Sequence, residues 1–197
     1  MCLVFGAALN PAEASESANS AVRVATQQSG RWLAMAVLWC CASVALTAGM
    51  PAILSLFQTR AHRIGTLGVV VLSVGAIGTS GFAMLLVFVQ ALARHGAFKA
   101  AGLETVVNDT GLAFFLWIWV TGFYLGSLLV ALALFISRAT HVWVPIALVL
   151  FVVMLPLGTV AGEVGQVIQL MALALAFTGI ATTAVNRTQP NRELSPN

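Results

Sequence analysis

Long apolar runs are the feature that most constrains the fold of this chain. They cover residues 32–57, 64–92, 111–136, 142–160 and 164–185. A hydrocarbon core about 30 Å thick needs about 20 helical residues, because each residue advances a helix by about 1.5 Å. Since lipid offers the backbone no hydrogen bonds, a spanning segment must satisfy its own polar groups. The runs therefore predict an all-α fold, a polytopic bundle of transmembrane helices with five crossings.

The composition argues against several other classes of protein. Hydrophobic residues make up 60% of the 197 residues, charged residues make up 8%, and the mean hydropathy is +0.98. The formal charge of +3 comes from nine basic and six acidic side chains, with no cluster dense enough to follow a nucleic-acid backbone. Cys2, Cys40 and Cys41 lack the spacing of a disulfide framework or a metal site. We therefore expect no nucleic-acid partner, no metal and no cofactor.

The N-terminal segment is too short for a crossing of its own. Residues 1–9, MCLVFGAAL, supply less than half of the about 20 residues required. Two interpretations stay open: the natural chain begins upstream of Met1 and has six crossings, or the segment is an interfacial apolar helix. A cleaved signal peptide is disfavoured because no basic region precedes the run. Residues 10–31 predict a short polar helix on the outer side, because Asn10 can cap it and Pro11 suits its first position.

Basic residues near the helix ends predict the orientation. The side that carries more Lys and Arg in short loops is the cytoplasmic one. Five arginines fall on the side of the 58–63 and 137–141 turns, namely Arg60, Arg63, Arg138, Arg187 and Arg192. Four basic residues fall on the other side, namely Arg23, Arg31, Arg94 and Lys99. We therefore expect residues 1–197 to form one domain of the cell membrane, with a cytoplasmic tail at 186–197.

The order of these segments resembles a known group of proteins. A polar outer helix runs into SGRWLAMAVLW, a short RAHRIG turn follows, and the chain closes with HVWVPIALVLFVVMLPLG and QLMALALAFTGIATTAV. This order resembles uncharacterised bacterial six-pass membrane proteins of a domain-of-unknown-function type, common in actinobacteria. The resemblance implies a multi-pass protein of the bacterial inner membrane and implies no activity.

Small residues reduce the side-chain bulk on two of the predicted helices. Gly75 and Gly78 lie in the second span, and Gly122 and Gly126 form a G-x-x-x-G pair in the third. Small residues let helix backbones approach closely in a membrane. The pattern predicts helix packing at these positions, either within the chain or against a second copy or another membrane protein.

One serine motif raises the question of intramembrane hydrolysis. GTSG, which contains Ser80, matches the G-x-S-G form around the nucleophile of rhomboid-type proteases, and such a serine needs a histidine within hydrogen-bond reach. His62, His95 and His141 all fall in loops or at helix ends, and the rest of the rhomboid pattern is missing. The sequence favours a packing role for Ser80.

A haem site would need two axial histidines at the same depth. Only His62 and His141 fall on the same predicted side, and both lie in turns. A haem-bearing redox protein is therefore a remote alternative.

A group of polar residues marks the outer end of the last span. Glu163, Gln166 and Gln169 are spaced by three along a helix, and Gln90 near the end of the second span could join them. Such groups at membrane depth mark a solute pathway or a helix contact. The simpler interpretation is that Glu163 favours the helix dipole from the first turn and reaches water.

These observations predict a non-enzymatic membrane protein that acts as an accessory or lipid-interacting subunit. Its expected partners are membrane lipids and a second copy or another membrane protein. The alternative is a component of a small-solute or ion transporter or channel. Transporters usually bury ionisable residues near the midplane and often contain repeats. The predicted spans show neither feature.

Overall fold

The computed structural model describes residues 27–57, 61–95 and 109–188, without the side chains of 156, 158–163 and 188. The predictions for 1–9, for most of 10–31 and for the tail beyond 188 lie outside the described residues. In the part that is described, every regular element is an α-helix. The helices are α1 Ser29–Ser55, α2 His62–Arg94, α3 Thr110–Ser137 and α4 Trp143–Thr188.

Four helical segments within the described residues are long and apolar enough to cross a membrane. They are Ser29–Ser55, His62–Arg94, Thr110–Ser137 and Val164–Arg187, and a shorter apolar segment covers Trp143–Leu155. This length and composition are those of a multi-pass membrane protein. The sequence predicted five crossings. The structure has four segments long enough to cross a membrane and a fifth apolar segment that is shorter.

The predicted turn between residues 160 and 164 has a helical backbone instead, since α4 is assigned as helix from Trp143 to Thr188. The chain nevertheless reverses direction within it. The Gln169 side chain donates a hydrogen bond to the Phe151 carbonyl at 3.2 Å, although 18 helical residues would separate these positions by about 27 Å in a straight helix. Pro156, which cannot donate to the carbonyl of Val152, is the one proline between the two contact positions. The segments Trp143–Leu155 and Val164–Arg187 are therefore two antiparallel arms, named here the outgoing and returning arms.

Spin labels at Ile146 and Thr178, which are exposed residues of the two arms, should report this reversal. The labels should lie within about 20 Å, because packed helix axes are about 8–10 Å apart. A straight helix would separate them by about 48 Å. Double electron–electron resonance on the protein in nanodiscs measures the distance. A control pair at Ile146 and Leu155, both on the outgoing arm, should give about 14 Å in either arrangement.

Local chemistry explains where the helices end. The Asp109 carboxylate accepts a hydrogen bond from the Leu112 N–H at 3.0 Å and so caps the start of α3. Arg138, directly after α3, has a φ of 50°, the left-handed conformation that commonly ends helices. α1 begins at Ser29, so residues 29–31, predicted as the end of the outer polar helix, belong to the first long helix instead.

The chain divides into two compact units. Among the described residues, unit 1 contains α1 up to Thr47, α2 from Val74 and α3 up to Thr121. Unit 2 contains the remainder of these three helices together with α4. Each unit is held by its own contacts between antiparallel helices.

Trp32 anchors one helix contact of unit 1. Its side chain is only 4% exposed, and its indole N–H donates to the Leu86 carbonyl of α2 at 2.9 Å. Tryptophans near a helix end are typical of the membrane interface, so the position of Trp32 in the sequence does not distinguish a packed tryptophan from an interfacial one. Trp32 packs with Met35, Trp39 and Leu86.

Candidate functional site

The polar side chain Gln169 lies at a contact of three helical segments in unit 2. Its amide donates to the Tyr124 hydroxyl of α3 at 3.0 Å and to the Phe151 carbonyl of the outgoing arm at 3.2 Å. Both amide hydrogens are thereby used. Gln169, on the returning arm, thus ties α3 and the outgoing arm together.

Aromatic rings enclose this polar contact. The Tyr124 and Phe151 rings are stacked, with centroids 4.9 Å apart and planes 5° from parallel. Phe123 packs edge-on against Phe151 at 5.8 Å. A tyrosine in the middle of a span needs a hydrogen-bond partner on another helix, and Gln169 provides it. A hydrogen bond among apolar rings is shielded from competing polar groups.

The predicted polar group contains residues of both units, and each residue has its own surroundings within its unit. Gln169 is half-buried in the contact just described, whereas Gln166, one turn earlier, is exposed. The Glu163 side chain lies outside the described ones. Gln90 belongs to unit 1, where its buried amide donates to the Ser29 carbonyl of α1 at 3.0 Å.

A double-mutant cycle on Tyr124→Phe and Gln169→Leu should return a coupling free energy of about 0.6 kcal/mol, and at most about 1.7 kcal/mol, in the unfolding of the protein. The coupling is expected because each single change removes the same hydroxyl–amide bond. Thermal or denaturant unfolding in detergent micelles gives the four stabilities. Gln166→Leu, at the exposed position one turn away, should show no coupling with Tyr124→Phe. Equal coupling at both positions would contradict the assignment of the bond.

Hydroxyl groups connect α1 and α2 within unit 1. Ser80 of α2 donates to the Ser43 hydroxyl of α1 at 2.8 Å, and Ser43 donates to the Ala76 carbonyl of α2 at 2.5 Å. The Ser80 proton is therefore directed to another serine and not to a base. His62, His95 and His141 are all exposed, and none bonds to Ser80 among the described residues.

A third helix joins this arrangement through Trp119. Its indole N–H donates to the Thr79 hydroxyl of α2 at 3.0 Å. Its ring stacks on Phe82 with centroids 4.6 Å apart and meets Trp39 edge-on at 6.1 Å. Tryptophans in an apolar helix are typical of the membrane interface, but Trp119 is a packing residue, while Trp117 is 70% exposed. A wholly apolar helix gives no periodic signal of which face is inward, so the sequence alone could not distinguish the two.

Glycines mark the closest helix contacts. A Cβ added at Gly126 would lie 2.5 Å from the backbone nitrogen of Leu72 in α2. One added at Gly78 would lie 2.6 Å from the Trp119 ring. Gly75 and Gly122 are buried as well. In both units α2 and α3 therefore approach each other where a glycine leaves room.

Among the residues that the structure describes, no three His, Cys, Asp or Glu side chains are gathered as a metal site would require. Comparison of the chain with protein-family models, with curated proteins and with solved structures found no match in any of the three.

Proposed function

We propose that this protein is a non-enzymatic accessory subunit of the cell membrane, which acts through its outer helix surfaces on lipids and on a partner membrane protein. The proposal rests on one observation: the polar side chains that face inward form hydrogen bonds between helices. Ser43, Ser80, Trp119 and Gln169 each bond to a neighbouring helix. These bonds hold helices together, so the inward polar groups have a structural use.

The outer surface supports the same proposal. Large apolar side chains on every described helix point outward, among them Val44 on α1, Met84 on α2, Trp117 on α3 and Met171 on α4. In water such a surface would aggregate, and in a bilayer it meets lipid chains or another membrane helix. The charged side chains of α1 and α2 lie near the helix ends, and α3 contains none, so the outer surface of each of these helices is apolar along its middle.

Site-specific photocrosslinking in native membranes tests the proposal. A photoreactive residue placed at Met84 or Trp117, which are both exposed, should give a discrete adduct with another membrane protein. The same residue at Ala76 or Ser127, which are buried, should give only internal crosslinks or none. A set of exposed positions on all four helices that yields no protein adduct would contradict an accessory role.

A further inference from the structure

Four helix ends meet at one end of unit 2. Gly68 of α2 packs against the backbone of α3, so these antiparallel helices bring the start of α2 beside the end of α3. Gly179 packs against Trp143, so the start and the end of α4 also lie together. Arg187 donates to the Ala139 carbonyl at 3.1 Å, which joins the end of α4 to the end of α3.

This end of the unit, called here the basic end, carries five exposed basic or titratable side chains. They are His62, Arg63, Arg138, His141 and Arg187. None of the three arginines forms an ion pair with a described residue. The sequence from 122 to 188 contains one acidic residue, Glu163, which lies in the middle of α4 and not at its ends. The positive charge of the basic end is therefore uncompensated within the described part of unit 2.

Arg138 has a backbone conformation that other residue types adopt more readily. Arg138 has a φ of 50°, a conformation that glycine or asparagine adopts more readily. A strained position that keeps a charged side chain points to a use for that side chain. The bond from Arg187 to Ala139 holds a second guanidinium beside the same turn.

Apolar side chains adjoin these charges. Ile136, Val142 and Trp143 are exposed and lie within five residues of Arg138. A phospholipid has the matching arrangement, with a phosphate at headgroup level directly above its acyl chains. Guanidinium groups bind phosphate through paired hydrogen bonds.

We propose that the basic end binds an anionic phospholipid, with its phosphate on Arg63, Arg138 and Arg187 and its chains along Ile136, Val142 and Trp143. This inference rests on the proposed function, because it names the class of lipid on which the subunit acts. The helix starts of α2 and α4 lie at the same end and add positive dipole ends that favour the phosphate.

The test measures retention of phosphatidylglycerol and of phosphatidylcholine by the purified full-length protein in detergent micelles, by native mass spectrometry. Phosphatidylglycerol should bind in preference. The double variant Arg63→Gln/Arg138→Asn should weaken its binding by about fivefold for each arginine removed. Asparagine suits the left-handed backbone at 138, so this variant should fold. The matched control Arg31→Gln/Arg94→Gln, which removes two exposed arginines of unit 1, should leave the binding unchanged.

Three results would overturn the inference: equal binding of the two lipids, an equal loss in the control variant, or displacement of phosphatidylglycerol by an equal concentration of inorganic phosphate. The photocrosslinks from Met84 and Trp117 separate this inference from the proposed function. Equal lipid binding with the protein adducts retained would overturn the lipid site alone. A preference for phosphatidylglycerol without any protein adduct would support the lipid site and overturn the accessory role.

Discussion

Replacing Gly126 with leucine should lower the free energy of unfolding by about 3 kcal/mol or more. The reason is that even the first added carbon would lie 2.5 Å from the Leu72 nitrogen and 2.6 Å from its Cα. These are backbone atoms of α2, so no side chain can rotate away, and α2 and α3 must separate. Thermal unfolding in detergent micelles, followed by circular dichroism, measures the loss.

Gly81→Leu is the matched control for this change. Gly81 also lies in an apolar helix, but a Cβ there meets nothing within 4 Å. Because leucine favours helix more than glycine does, this variant should be as stable as the parent or slightly more so. Equal destabilisation of the two variants would show that any added bulk is harmful and would contradict the close α2–α3 contact.

Trp119→Ala should lower the free energy of unfolding by about 3 kcal/mol. The change removes the ring that stacks on Phe82 and the indole N–H that bonds to Thr79, and it leaves a cavity between two helices. The control is Trp117→Ala, two residues earlier in the same helix and exposed, for which the loss should be below about 1 kcal/mol. The same unfolding measurement compares the two. A larger loss at Trp117 would reverse the assignment of inner and outer faces of α3.

The sequence predicted the helices well because their length is set by the membrane. The run 111–136 became Thr110–Ser137, and the run 64–92 became His62–Arg94, since a hydrocarbon core demands about 20 apolar residues whatever the packing inside it. The return of the chain after residue 160 was also predictable, but its helical backbone was not. Pro156 can either end a helix or kink it, so the sequence does not distinguish a turn from a bent helix at this point.

The contacts between helices were harder to predict. A phenol in lipid needs a hydrogen-bond partner, which predicts that Tyr124 faces another helix. The sequence did not identify Gln169 as that partner, because it left Gln169 open between a solute pathway and a helix contact. Gln90 was grouped with Gln169 because both lie towards the outer ends of their predicted spans, yet Gln90 bonds to Ser29. A single sequence shows the depth of a residue more clearly than the helix it faces. Ser43 and Thr79, which connect helices in unit 1, gave no signal because a hydroxyl in a helix commonly bonds to its own backbone.

We propose that the inward polar groups close helix contacts and do not form a path for solutes. The most direct test is ion flux across liposomes that contain the purified full-length protein, measured with K⁺, Na⁺ and proton gradients against protein-free liposomes. We expect equal leak rates for the two preparations. Flux above the protein-free level that falls in Gln169→Leu and not in Gln166→Leu would contradict this proposal and would identify the Tyr124–Gln169 contact as part of a pathway.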